Sequence, residues 1–489
     1  MNWLLPITTM VKKLITFTLL LAPIFSFGAD IYDPILNVLK INEVLVGKRI
    51  YKDVSVNVGQ VISVKSGKAE GTQDVYSPET NQLFIPSVQD GELTYTNVTI
   101  SVGPVLSVGG FINTGKMGGV SSIPITSQIW GDKNWRTVNP FEMLSNNGFN
   151  YYKVQYTTNR NSVLASTPVS EWSKYSWNND FMWSLDLSIE VMKRAQASGM
   201  RIIANPFLSD KPQHAGSKSN PAIWKGYTLE ETAAALKQYA YESTLVILNN
   251  GIRVEYYLLN GETDTGLLDF ALGKNIPFPN GNLWRELTYM KEKVWLPNSV
   301  LYKAAIEGIK KADPNAKFSI QASSLGATQN NLFLKDFFKS LLEFGVQIDY
   351  FSLSYPYHVG DYGGDKFIDT TVPYFEQAEY LETIKFLYGL GKPIIYSEWG
   401  YPNSEAGMGN GGAFKGKPDV GFPFTPKGQA DWIRKFIDHC NKSIEIHSCL
   451  YFYPEYFPGL SHGSTIGLES SGLFVADGVP QPGLLEFNK

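Results

Sequence analysis

Apolar and polar residues alternate in two stretches near the N-terminus, Val54-Ser-Val-Asn-Val58 and Val98-Thr-Ile-Ser-Val102, and the two lie 44 positions apart. The offset runs well beyond them. Tyr32, Pro34, Asn37, Leu39, Ile41, Val44, Gly47, Tyr51, Val54, Val58, Gly59, Ser63 and Val64 recur as Tyr76, Pro78, Asn81, Leu83, Ile85, Val88, Gly91, Tyr95, Val98, Val102, Gly103, Ser107 and Val108. A period of two is that of strands with one buried face. One copy is too small for a core of its own, so residues 30–110 are expected to form a single β-rich module of two repeats. Such a module would bind carbohydrate, tether the chain to a surface, or space the domain that follows.

From about residue 111 the pattern changes to short apolar runs separated by helical periodicity. Strands are expected at 148–156, 200–207, 254–260, 317–322, 348–354, 393–397 and 449–454, with an eighth near 116–121. Helices are expected at 181–198, 228–249, 298–312, 330–345, 377–390 and 427–441. Leu229, Ala233, Leu236, Tyr239, Ala240 and Ile247, for instance, recur at roughly helical spacing. Strand–helix units of this kind over 111–489 fit an α/β fold, a (β/α)8 TIM barrel with long loops. A doubly wound open sheet is the alternative, weakened by the lack of a glycine-rich phosphate loop after the first strands.

Two of the apolar runs end in glutamate: Val254 to Glu262, and Pro393 to Glu398. A carboxylate at the carboxyl end of a parallel barrel strand points at the mouth where such folds keep their chemistry. Two carboxylates facing one pocket are the minimum equipment for glycoside hydrolysis. The net charge of −4 and 18% charged residues suggest no nucleic-acid or anionic-membrane partner. Aromatics make up 13%, including 11 Trp and 27 Tyr, which suits stacking on sugar rings or simply the core of a large barrel.

At the N-terminus, Lys12 and Lys13 precede an apolar stretch from Leu14 to Phe25, and Ser26-Phe-Gly-Ala29 supplies small residues. Residues 1–28 therefore read as a signal peptide cleaved after Gly28, with Met10 as an alternative start and a retained anchor as the rival reading. Export, to a secreted or periplasmic location, favours a disulfide between Cys440 and Cys449 over two buried thiols. Their spacing is no metal motif, and His439 and His447 do not make one.

An ordered series of segments resembles glycoside hydrolase family 53, the endo-β-1,4-galactanases that act on arabinogalactan. Gly148 to Tyr156 is similar to that family's second strand, and Met200 to Asp210 with His214-Ala-Gly216 and Asn220 to Trp224 to the third-strand region. Asn260-Gly-Glu262 resembles the fourth-strand acid/base motif and Asp349 to Pro356 the sixth strand. Ser397-Glu398 resembles the nucleophile motif and Leu450 to Glu455 the last strand, while Gly428-Gln-Ala430 and Ser471-Gly-Leu-Phe474 extend the likeness, so that it spans roughly 112–485. The resemblance implies Glu262 as general acid/base and Glu398 as nucleophile in a retaining double displacement, the two carboxyls about 5–5.5 Å apart. It implies Asn260 as the residue that holds the sugar 2-hydroxyl, and Lys153, Asn205, Asp210 and Glu455 stand in the segments that match the family's site. From the residues themselves, Tyr355 and Tyr453 read as hydrogen-bond donors to substrate or as core residues, Trp224 and Trp399 as stacking surfaces or core aromatics, and Asp264 as a sugar ligand, a neighbour that tunes Glu262, or a helix cap.

The chain departs from the family in several places. Gly261 stands where an Asn directly precedes the acid/base, Lys153 and Gln155 where arginines are expected, Asn205 and Phe207 where Asp and His are usual, and Pro454 where a Trp precedes Glu455. These changes leave open a different β-glycan, such as a mannan or exopolysaccharide, or a carbohydrate-binding protein that has lost its rate. Neither a metal nor any other cofactor is expected, there being no dense Asp/Asn ligand loop, and the chain is expected to act as a monomer on a polysaccharide.

Overall fold

The computed structural model describes residues 30–46, 49–65, 67–71, 73–77, 80–107, 110–113, 117–122, 139–158, 183–210, 218–280, 286–323, 328–355, 372–404, 418–452, 454, 472–474 and 480–488. The signal-peptide reading of 1–28 lies outside them. Two compact units divide the chain, Met1–Thr114 and Gly115–Lys489. Among the described residues no helix is long and apolar enough to cross a membrane.

In the first unit the 44-residue offset becomes a physical symmetry. Strands β1 (Asp30–Asp33), β2 (Val38–Val46) and β3 (Arg49–Val64) come from the first repeat, and β4 (Asp74–Ser77), β5 (Gln82–Asp90) and β6 (Leu93–Ser107) from the second, with β7 (Gly110–Asn113) added on β3. Each short first strand pairs antiparallel with the second strand of its own repeat and parallel with that of the other, β1 on β2 and β5, β4 on β5 and β2. The core is Leu39, Ile41, Val44, Val54 and Val56 with their repeat equivalents Leu83, Ile85, Val88, Val98 and Ile100.

Matching turns close the copies. Asn37 and Asn81 adopt left-handed φ of 56° and 53°, a conformation Asn tolerates better than most residues. Tyr32 and Tyr76 each donate to the matching Asn Oδ1 at 2.9 Å. Gly59 and Gly103 sit where β3 and β6 approach most closely. A Cβ on either would lie 2.7 Å from the Ser101 carbonyl or 2.9 Å from that of Asn57.

The equivalent Asp30 and Asp74 are both buried. Asp30 accepts from the Asn42 N–H at 3.1 Å, whereas the position equivalent to Asn42 is Pro86, which has no N–H to give. Burial, then the hydrogen bond and charge of Asp30, push Asp74 up to about 9.

The second unit is the expected barrel. Strands β8 (Met117–Ser122), β9 (Tyr151–Tyr156), β10 (Arg201–Pro206), β11 (Val254–Leu259), β14 (Phe318–Ala322), β15 (Tyr350–Tyr355), β16 (Ile394–Trp399) and β17 (Ile446–Phe452) close in sequence order, every pair parallel. A two-stranded hairpin, β12 (Gly266–Leu267) and β13 (Phe270–Ala271), follows the fourth barrel strand. The strands alternate with α1 (Pro140–Asn146), α2 (Leu185–Ala197), α3 (Leu229–Asn249), α4 (Leu296–Ala312), α5 (Thr328–Glu343), α6 (Ala378–Gly389), α7 (Pro426–Lys442) and α8 (Pro482–Leu485). Local chemistry starts these helices where they start: Ser184 caps α2, Thr228 and Glu231 form a reciprocal capping box on α3, and Thr425 with Pro426 opens α7. Among these, α1 and α8 have no counterpart in the periodicity, being two turns and one turn long, nor has the helical stretch Leu287–Tyr289 and Met290–Trp295 that leads into α4.

Side chains two apart on a strand share a face, and the barrel uses this to separate its layers. Tyr151, Ile203, Tyr256, Leu258, Tyr350, Ile395 and Leu450 form one interior apolar cluster. The opposite faces, such as Tyr152, Val154, Ile202, Ala204, Phe351 and Leu353, join the larger core shared with the helices. Towards the carboxyl ends of the strands the inward positions turn polar: Lys153, Gln155, Asn205, Gln321 and Ser354. A packed apolar plug beneath a polar mouth is the arrangement barrel enzymes use.

Candidate active site

Glu398 reaches the mouth because β16 is bulged. Ile394 and Tyr396 belong to the outer core and Ile395 to the interior cluster. Simple alternation would send Glu398 outward with them. The register against β15 jumps from Leu353↔Tyr396 to Ser354↔Glu398, and against β17 from Tyr396↔Cys449 to Trp399↔Tyr451. Ser397 is the extra residue in both ladders. A bulge re-aims the side chains that follow it, so Glu398 turns inward and Trp399 outward.

The Glu398 carboxylate is then gripped from two sides. Lys153 Nζ on β9 lies 2.7 Å from Oε1, with the lysine side chain fully buried and the glutamate 19% exposed. Ser354 Oγ donates to Oε2 at 3.4 Å and itself accepts from Gln321 Nε2 at 2.6 Å. Burial pulls the Lys153 ammonium down, and it is held charged first by Glu398 and then by Glu262. One buried cation therefore feels both carboxylates.

Glu262 is placed differently, by a turn just past β11. Asn260 and Glu262 take left-handed φ of 65° and 43° on either side of Gly261. Non-glycine residues held there mark backbone that its surroundings over-determine. The carbonyls of this segment are captured by side chains. Asn205 Nδ2 donates to Leu258 O at 2.7 Å and Asn260 O at 3.2 Å. Lys218 Nζ donates to Gly261 O at 3.1 Å and to Glu262 O. Thr263 then ties the chain to Gln321 O through both its N–H and its hydroxyl, each at 2.9 Å. Gln321 thus touches both arrangements, by its backbone near Glu262 and by its side chain towards Glu398.

Several residues expected near substrate have other work. Asp264 accepts from the Ser323 N–H at 2.9 Å and from its hydroxyl, while its carbonyl accepts from Trp295 Nε1 at 2.8 Å, so it fastens the loop behind Glu262. Asp210 accepts from Thr158 Oγ1 and, at 2.7 Å, from the Ala222 N–H, shaping the loop after β10. Trp224 packs in the outer core against Tyr239. Trp399, 1% exposed, lies among Trp432, Phe436, Tyr451 and Phe487. Both tryptophans are core residues: Trp399 because outward positions on a barrel strand face the helix layer, and Trp224 because the short turn Ala222–Trp224 lays it against α3. Asn260 and Asn205 are fully buried at their strand ends. Tyr453, Glu455 and the Tyr355 side chain lie outside the described residues.

The expected disulfide is not formed. Cys440 on α7 and Cys449 on β17 are buried free thiols whose sulfurs are 2.9 Å apart in a hydrogen bond, against a bond length of about 2.05 Å. Sequence spacing shows that two cysteines can meet, not that they are bonded.

Lys218, Gln321, Ser354 and Thr263 escaped the sequence reading. Gln321 and Ser354 had a signal, being polar residues late in apolar strands at inward parity. Lys218 had none, since it lies in a loop with no periodic context.

Residues 119–485 match the model of glycosyl hydrolase family 53. A stretch of 120 residues, 24% of this chain, is 28% identical to the probable arabinogalactan endo-β-1,4-galactanase A of Aspergillus tubingensis and covers 34% of it. The chain thus spans about a third of the length of the curated relatives it matches. The family 53 catalytic domain of Ignisphaera aggregans aligns with 74% of this chain and 90% of its own, at 19% identity and a TM-score of 0.54. A solved structure from a study of two fungal β-1,4-galactanases aligns with 76% of this chain and 98% of its own, at 18% identity and 0.53. These two likenesses establish the shared fold, and the family model runs from the first barrel strand to the last helix. By that match, the chain belongs to glycosyl hydrolase family 53.

Proposed function

We propose that the protein is an exported glycoside hydrolase that cleaves arabinogalactan or a related β-glycan internally, with retention, as an endo-β-1,4-galactanase does. The observation that supports this reading is Lys153, whose ammonium bonds Glu398 and is also held charged by Glu262, as expected of two carboxylates that act on one substrate. In the first step the Glu398 carboxylate attacks the anomeric carbon and the glycosidic C–O bond breaks. The Glu262 carboxyl gives its proton to the leaving oxygen. In the second step water attacks the glycosyl–Glu398 ester, Glu262 takes the water's proton, and Glu398 leaves as carboxylate. Lys153 offsets the negative charge of Glu398 before attack and after release.

Two buried acceptors, Asn205 Oδ1 and Gln321 Oε1, have no hydrogen-bond partner among the described residues. A buried acceptor left unmet costs roughly 1–3 kcal/mol, and sugar hydroxyls are suitable donors. The substitutions relative to the family, Lys153 and Asn205 above all, favour a shifted glycan preference as the second reading. A screen of galactan, arabinogalactan, mannan and glucan for released reducing sugar, with Glu398→Ala as control, tests the proposal. Release from a galactan that the control abolishes is the expected result. Release from mannan or glucan alone would transfer the assignment to that polymer, and binding without release, equal in both proteins, would sink the hydrolase reading.

A further inference from the structure

We infer that Lys218 is a positioning residue for the Glu262 carboxyl, holding from below the left-handed turn on which that glutamate stands. The inference rests on the reading of Glu262 as acid/base. The turn needs a holder, because Asn260 and Glu262 both sit at positive φ and relax to other conformations unless their surroundings forbid it. Asn205 secures the strand side through Leu258 O and Asn260 O. Lys218, a residue only 4% exposed, secures the next two carbonyls, Gly261 O and Glu262 O, with its single ammonium.

A lysine suits this place. Its three donors serve two carbonyls with one to spare, and its charge faces the carboxylates of Asp264 and Glu262. Asp264 is itself fixed by Ser323, and Lys153 is the other cation that feels Glu262. Lys218 therefore couples the geometry of the acid/base turn to a fixed charge pattern behind it.

Burial pulls the Lys218 ammonium down from 10.5 to about 8, against the opposing pull of Asp264 and Glu262. Its charge is complete at pH 6 and lost as the pH rises through 8. Between about 8 and 10.5 the unfolded chain binds more protons at this site than the folded one, so this group makes stability rise with pH there. Turnover is expected to fall over the same range, opposite in sign to this group's own contribution to stability.

The test uses the full chain and whichever polysaccharide the screen above finds cleaved. Lys218→Met is expected to lower kcat on the polymer about 100-fold, the effect of misplacing a reacting group by about an ångström, with little change in KM. An aryl glycoside whose leaving group needs no protonation should lose far less. Lys218→Arg keeps its charge throughout this pH range, so it should restore much of the activity at pH 6 and carry the alkaline limb above pH 9. If Lys218→Met fails to fold, Lys218→Arg alone decides by its pH profile. A Lys218→Arg profile that still falls near pH 8, or a Lys218→Met enzyme with wild-type kcat, overturns the inference while Glu262→Ala remains inactive. If Glu262→Ala keeps wild-type turnover, or no polymer is cleaved, the acid/base reading fails and this inference falls with it.

Discussion

Glu398 and Glu262 are both carboxylates at the mouth of one barrel, yet the chain seats them by opposite means. Glu398 stands on a strand, and its direction comes from counting: one extra residue, Ser397, moves it from the outer face to the inner. Its contacts are then made by the carboxylate itself, with Lys153 and Ser354. Glu262 stands off the strand, and its direction comes from backbone conformation, fixed by Asn205 and Lys218 through carbonyls. In the proposed roles, a nucleophile that must stay ionised benefits from partners on its oxygens, as Glu398 has. The proposed acid/base is set in addition through its own backbone carbonyl.

That contrast can be broken at Ser397. Deleting this residue should remove the bulge and restore plain alternation, leaving Tyr396 and Trp399 towards the helices and Glu398 towards the mouth opposite Ser354. Measurable turnover and most of the thermal stability should therefore survive. Deleting Gly261 should instead abolish turnover, because it removes the middle of the left-handed turn that carries Glu262, while the strands stay in register. Equal losses at the two sites would erase the distinction.

Glu262→Ala should lower kcat on a polysaccharide by about 10²–10⁴-fold and spare an aryl glycoside with a good leaving group. Glu398→Ala should spare neither. Lys153→Met should cost about 1–2 kcal/mol of stability, the range for a hydrogen bond to a charged group reduced because Glu398 is partly screened by water. In a double-mutant cycle that loss should vanish on a Glu398→Gln background, while Glu262→Gln should change it little. The smallest effect is expected from Asp264→Asn, about 1 kcal/mol in chemical denaturation, because Asn can still accept from Ser323 and what is lost is the attraction to Lys218.

How far the sequence could be read follows the same division. The barrel was legible because parallel strands buried on both faces are apolar runs, and those at 200–207, 254–260 and 348–354 stand out even without an alignment. Glu398 and Glu262 were legible as strand-end acids. The direction of Glu398 was not, since a bulge leaves no mark in composition. Unbroken alternation would have turned Trp399 inward as a sugar platform, and the same bulge sends it to the outer core, the other reading open to it. Lys218 was illegible for a different reason: its partners are carbonyls, which every residue carries. Cys440 and Cys449 were correctly brought near each other, but bonding is a matter of ångströms that spacing does not contain.

The interlocked pairing of the N-terminal module has an evolutionary reading. When each half of a duplicated sequence supplies an edge strand to the other half, the molecule is the covalent form of a twofold-symmetric homodimer. A lone repeat would carry an unmatched strand edge and half a core, and a second copy of itself would complete both. Joining the two copies in one chain makes that association independent of concentration. Residues that match at an offset of 44 are, in that light, the preserved record of a self-recognition surface.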